Sequence, residues 1–449
     1  MKKIISNMFL ILLMLVSISV LNLCKLSQLE YAILMCTVFI SGLGILWVQS
    51  KITPFFLFCV SFSFLFIGGR FWAFLLSPDE NLFDLLGGTF FIRDGIPTKY
   101  WVNLLTWVIC FYIFSIIGYN LKKKRSQMIA VKDQNIKTVL YLLFWPLAVL
   151  SIGTKIQDFT YALHNGGYLA MFKDQTQTYS SFSSLGVILL YALFGMAVTF
   201  GDRALKRKYL VLLFVYSFLT ILIGSRGAFG SFMLFLLWLY SMNRKINVVK
   251  LLLVGGVSLV LLLLVFSFSI RAAGMDKFTG MGTLSSFFYS QGITLLVFEK
   301  AKELGSFPLV ATFQSFIPGA TFFYTQFIKP SAYPYELSFD AYISYKVNPD
   351  AFMNGNGLGW SILGDFYVFS NGSIFLFALM AFIFGYICAY IENGCSRRRF
   401  FNVIVYAVFL KFMFLPRAGL NTIIPFIGYL AVIYFSIVQF SQLLSKNAR

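Results

Sequence analysis

The chain is 449 residues long, 59% hydrophobic and only 12% charged, with a mean hydropathy of +0.80. Soluble domains carry roughly 25% charged residues, so this composition excludes them and indicates an all-α polytopic membrane protein. A formal charge of +19 would suit nucleic acid if the basic residues shared one soluble face. They sit between apolar runs instead, so the charge reports membrane topology and no nucleic-acid partner is expected.

In chain order, apolar runs of the roughly 20 residues that cross a bilayer are expected near 4–24, 30–48, 53–76, 102–120, 137–153 and 184–200. Six more follow near 209–223, 227–242, 249–270, 372–391, 400–415 and 421–444. The first, after "MKK", has the look of a signal peptide, but "LNLC" at Cys24 is a poor lipoprotein cleavage box, so it reads as an uncleaved first helix. About twelve spans with the N-terminus inside put "LKKKRSQ", "GDRALKRK", "NRK" and "CSRRR" on the cytoplasmic side. The inner segments then hold 21 of the 36 Lys and Arg against Asp133, Asp202 and Glu392, leaving 15 basic and 14 acidic residues elsewhere. This is the asymmetry the positive-inside rule requires, with both termini cytoplasmic. The chain reads as a single membrane domain over 1–449, and residues 271–371 form a large periplasmic loop before the last three spans. That loop is expected to hold short amphipathic helices on the membrane. The six cysteines show neither CxxC nor metal-ligand spacing, so packing explains them and neither metal nor cofactor is expected.

Between the seventh and eighth runs, "ILIGSRGAFGSF" places one arginine, Arg226, in an otherwise uncharged stretch. Residues 209–242 are too few for two full crossings plus a turn, so the turn is expected to be recessed below the outer surface. With Ser225 as a cap and the next helix starting at Gly227, free N–H groups, glycines and a guanidinium fork describe an anion site suited to phosphate. The competing reading is an arginine snorkelling to the interface from a tight turn. Two further arginines emerge on the same side: Arg271 in "SIRAAGM" after the ninth run, and Arg417 in "LPRAGLN" between the last two. Arg70 in "GGRFW" and Lys411 inside the eleventh run are weaker candidates, read first as structural or lipid-contact charges.

The order and sidedness of "GSRG", "RAAGM", "PRAGLN" and the glycine-rich, acidic-aromatic "GNGLGWSILGDFYVFSNG" at 355–372 resemble the Wzy O-antigen polymerases, also called oligosaccharide repeat unit polymerases. The resemblance covers most of the chain. "GNGLG" itself is no dinucleotide fingerprint, because no strand precedes it. The resemblance implies transfer of a growing glycan from one undecaprenyl diphosphate carrier to the sugar end of an incoming lipid-linked repeat unit, at the periplasmic face of the bacterial inner membrane. It also implies a chain-length regulator, a flippase and membrane lipids as partners. Arginines with helix N-termini would neutralise the leaving diphosphate. A carboxylate or histidine would take the acceptor's proton. Candidates for that base are Asp365, Asp340, Glu336 and His164. An O-antigen ligase would share the loop and the arginines. A flippase would instead distribute charge through the spans.

Overall fold

The computed structural model describes residues 2–50, 52–77, 84–121, 133–165, 168–172, 181–225, 227–243, 247–267, 283–395 and 398–447. In their described residues the twelve expected apolar runs are largely helical. The first six are α1 (Lys2–Leu23), α2 (Gln28–Ser50), the pair α3 (Pro54–Val60) and α4 (Gly69–Leu76), α5 (Trp101–Leu121), α6 (Gln134–His164) and α7 (Ser181–Phe200). Then come α8 (Arg203–Ile223), α9 (Gly227–Asn243) and α10 (Val248–Ser267), and, after the large loop, α18 (Ile374–Gly394), α19 (Arg399–Phe414) and α20 (Ile424–Asn447). Seven described helices are long and apolar enough to cross a membrane by themselves, and the α3–α4 pair, bent by 54°, makes an eighth if counted as one span. The chain is a polytopic, all-helical membrane protein.

Two elements differ from a simple reading of the runs. The third run is broken: a π-helical turn, Ser61–Phe66, leads into the bend. At the bend a Cβ on Gly68 would lie 1.6 Å from the Ser63 carbonyl oxygen, so only glycine fits. Gly69 then presses α4 onto α11 (Thr283–Gln291), where a Cβ would come within 2.6 Å of the Phe288 carbonyl. In addition, α6 runs 31 residues, well past the expected 137–153, and Lys155 and Asp158 pair at 2.6 Å across one turn of the added stretch. His164 is therefore the last residue of a helix rather than part of a loop turn.

Among the described helices, α5 and α18 cross closely. A Cβ on Gly118 would stand 2.0 Å from the Phe382 carbonyl, and one on Gly385 would stand 1.8 Å from that of Ser115. Small residues let two backbones meet where the surroundings are as apolar as the helices themselves. Gly385→Leu should accordingly lower the melting temperature of the detergent-solubilised protein and its membrane abundance, costing at least the roughly 1–3 kcal/mol of an overpacked core. Gly255→Leu, in open space on α10, should leave both unchanged; equal melting curves for the two variants would refute this packing.

Between α10 and α18 the described residues form a chain of short helices: α11, α12 (Ile293–Leu304), α13 (Leu309–Gln314), α14 (Ala320–Phe323), α15 (Phe339–Val347), α16 (Pro349–Met353) and α17 (Ile362–Phe369). Ser338, Asn348 and Ser361 begin the last three by accepting N–H groups of Ala341, Ala351 and Leu363. Phe307, Phe339 and Trp360 pack ring to ring at 5.2–5.3 Å and give the loop its own apolar centre. All six cysteines are free thiols.

Candidate active site at the meeting of two glycine segments

The segment "GNGLGW" before α17 and the turn "PRAGLN" after α19 fold against each other. Gly359, at φ +75°, has the backbone oxygen and Nε of Arg417 at ordinary contact distance from where a Cβ would sit, 3.9 and 4.0 Å. Gly419 is tighter still: a Cβ there would meet the Trp360 ring at 3.0 Å and Oδ2 of Asp365 at 3.2 Å. Gly359 is required by its left-handed backbone, and Gly419 by the closeness of Trp360 and Asp365.

Asp365 ties them together. It lies in the first turn of α17, fully buried. Its Oδ1 accepts the indole N–H of Trp360 at 2.7 Å and its Oδ2 the backbone N–H of Leu420 at 2.5 Å. Burial pushes its carboxyl up to about 7, and the charge of Asp340 adds to the rise, while the two N–H bonds work against it. Asp340 itself is exposed, on the first turn of α15. Ser344 of that helix anchors the glycine segment, since its hydroxyl accepts from Leu358 N and donates to the Asp340 carbonyl.

Arg417 ends a 3₁₀ turn, Leu415–Arg417, and is half-buried. One guanidinium nitrogen donates to Oε1 of Gln291 at 3.1 Å. Gln291 is the last residue of α11 and was not singled out in the sequence; the signal for it is a polar "SQG" between the aromatic 287–289 and the apolar 293–298. Next to it, Gly292 closes on Arg70, where a Cβ would fall 2.6 Å from Cγ. Arg70 is fully buried, donates to the Gly87 carbonyl at 3.1 Å and lies flat on Tyr289, 3.6 Å from the ring centre. Its Nε and second terminal nitrogen have no hydrogen-bond partner among the described residues.

Of the other expected site residues, Arg226 and Arg271 lie outside the described residues. The flanks of Arg226 are described. Ser225 N–H bonds back to the Thr220 carbonyl, closing α8, and α9 starts at Gly227 as expected. A Cβ on Gly227 would strike the Phe414 ring at 2.7 Å, so the "GSRG" and "PRAGLN" turns belong to one neighbourhood. Lys411 faces the rings of Phe426 and Tyr191 at 5.3 and 5.9 Å, deeper on α19 than Arg417. His164 is exposed, with Nδ1 2.8 Å from the Thr160 carbonyl, and Glu336 pairs with Lys329 at 2.7 Å. The structure thus brings Asp365 and Arg417 onto one turn and leaves His164 exposed at the end of α6.

Below that turn lies an apolar cleft of about 390 Å³. Leu415, Leu420 and Phe366 form its upper end, and α18 lines it from Met380 to Glu392, about 18 Å at 1.5 Å per residue. Arg417, half-buried, stands in the turn between Leu415 and Leu420 at this end of the cleft.

The family model described as O-antigen polysaccharide polymerase Wzy matches residues 4–448. No curated protein and no solved structure matches the chain. With nearly every residue inside that match, the chain belongs to the Wzy family of O-antigen polysaccharide polymerases.

Proposed function

We propose that this polymerase uses a polyprenyl-diphosphate-linked donor and acts at the outer face of the bacterial inner membrane, with twelve spans, both termini inside and residues 271–371 in the periplasm. The observation that carries the reading is the shared turn. Arg417 and the N–H bonded to Asp365 stand three residues apart, at the mouth of an apolar cleft deep enough to take part of an isoprenoid chain. Such a chain belongs in that cleft because its lining is almost wholly apolar.

In the proposed step, a hydroxyl oxygen of the acceptor sugar attacks the anomeric carbon of the donor glycan. The bond from that carbon to the carrier diphosphate breaks, and its electron pair leaves with the diphosphate. Arg417, with Arg226 and Arg271 completing the clamp, neutralises the charge as it grows. The hydroxyl proton passes to the Asp365 carboxylate, which exchanges its indole or amide partner for the acceptor. Ser225 and Gly227 present backbone to the same diphosphate. Asp340 and His164 are the reserve candidates for the base, and Glu336 and Lys411 are secondary. Arg70 is assigned a supporting role, fixing α4 against Gln291 and so holding Arg417. A chain-length regulator and a flippase are the proposed protein partners.

Deleting the gene and displaying lipopolysaccharide on a gel tests the reaction in the cell. Loss of a polymerase leaves core plus one repeat unit, whereas bare core would mean a ligase and overturn the reading. Sidedness is checked in a cysteine-free background: Ala332→Cys should react with an impermeant thiol reagent on intact cells and Gln134→Cys should not. Labelling at Gln134 would reverse the topology.

A further inference from the structure

A second cavity, of about 750 Å³, lies in the outer loop, apart from Asp365 and Arg417. Its size falls within the roughly 300–1,000 Å³ of small-ligand sites. Its walls come from the residues joining α12 to α13, from α13 itself, from the turn after α14, from Tyr335 and Glu336, and from the middle and end of α15. Its lining is mixed: Phe307, Tyr324 and Tyr342 supply rings, while Lys329, Glu336 and Lys346 supply polar ends. Lys329 is spent on Glu336 at 2.7 Å, which raises the lysine pKa and neutralises both charges locally. That leaves Lys346, exposed on α15, as the remaining charge among these lining residues, too little for a diphosphate. Tyr335 is held rigid, stacked on Tyr345 at 3.9 Å and on Tyr333 at 5.2 Å, so it offers a fixed hydroxyl rather than a free face.

Half-buried aromatic faces beside paired hydrogen-bonding groups match one ligand chemistry, the sugar ring. A pyranose has an apolar C–H face, which sits well on the electron-rich face of an aromatic ring, and a rim of hydroxyls that need donors and acceptors. A lipid tail would leave the Lys329–Glu336 pair without polar company, and such a tail already has a better slot beside α18.

Position fixes the role. Phe307 lines the groove and packs against Tyr342 at 5.6 Å, and it also packs edge-on against Trp360 at 5.3 Å. Trp360 is the residue that bonds Asp365, so a single indole separates the groove wall from that carboxylate. The apolar cleft starts on the opposite, Leu420 side of Asp365. We propose that the groove bounded by Phe307, Tyr324, Tyr342 and the Lys329–Glu336 pair binds the sugars of the acceptor repeat unit and points its terminal hydroxyl at Asp365. The inference rests on the reading of the site given above. It makes Tyr324 and Tyr342 positioning residues that select which glycan is extended.

The test uses full-length protein in nanodiscs, with two probes: the lipid-linked repeat unit as substrate and the same oligosaccharide freed from its lipid by mild acid. Tyr324→Ala and Tyr342→Ala should each raise KM for the acceptor about tenfold, the equivalent of about 1.4 kcal/mol, with kcat within about twofold of the parent. Tyr324→Phe and Tyr342→Phe keep the rings and should restore KM, which separates stacking from damage to the fold. The lipid-free oligosaccharide should bind the parent and lose binding in the Tyr324→Ala, Tyr342→Ala double variant. Unchanged KM and unchanged oligosaccharide binding in correctly folded alanine variants would overturn the proposal. A parent enzyme that makes polymer would leave the wider reading standing in that case. A parent that makes none would remove both.

Discussion

Asp365→Asn should reduce chain growth by about 10²-fold or more at normal membrane abundance, the range over which a positioned general base acts. Asparagine keeps the shape but brings an NH2 group that cannot accept. One of the two N–H groups now satisfied by Asp365, that of Trp360 or that of Leu420, then loses its partner in a buried place, at a cost of about 1–3 kcal/mol. The pH dependence supplies the sign. A carboxyl pushed up to about 7 is ionised only above that pH, so the wild-type rate should climb through neutrality and level off above it. Stability runs the other way. The folded state holds the proton from about 4, the unfolded value, up to about 7, so ionisation weakens the fold as pH rises through that window. The asparagine variant should lack both slopes. Wild-type ladders from Asp365→Asn, with the same pH profile, would remove Asp365 from the mechanism.

Arg417→Lys should leave mostly single-unit lipopolysaccharide, a loss of about 10²-fold in kcat, if one transition-state donor is worth roughly 3 kcal/mol. Lysine keeps the charge and enough length to reach Gln291, but it lacks the planar fork that engages diphosphate oxygens in pairs. Gln291→Ala should act through Arg417 and cost less, because it removes one bond to the guanidinium and leaves the guanidinium itself in place. The same lysine exchange at Arg226 and Arg271 distinguishes a clamp from snorkelling, since a snorkelling arginine tolerates lysine. Near-normal ladders from all three lysine variants, checked for equal abundance by immunoblot, would sink the clamp.

The helices were legible in the sequence because a run of some twenty apolar residues has few alternatives. "GSRG", "PRAGLN" and "GNGLGW" were legible as unusual, since arginine and glycine in an apolar run demand a reason. Their partners were not. Asp365 bonds a residue 55 positions away and Arg417 one 126 positions away, and no periodicity encodes such pairings. Helices apolar all round give no face to assign, because lipid and protein are equally greasy neighbours. The bend at Gly68 was hidden for a related reason: "FIGGR" reads as a continuing span until the Ser63 carbonyl is seen in the way. Nothing in the sequence singles out Trp360, although its indole N–H is one of the two bonds that hold Asp365 in place.

The central claim, that the Arg417–Asp365 turn holds the carrier diphosphate with its tail in the cleft beneath, is tested most directly by photocrosslinking. A polyprenyl diphosphate bearing a diazirine on its first isoprene unit, added to the full-length protein in nanodiscs, should label Leu415, Leu420 or Phe366, as read by mass spectrometry of the digested protein. Excess unlabelled polyprenyl diphosphate should abolish that labelling, and Arg417→Lys should weaken it. Adducts confined to helices outside the cleft, such as α1 or α10, and unaffected by competitor, would contradict the account.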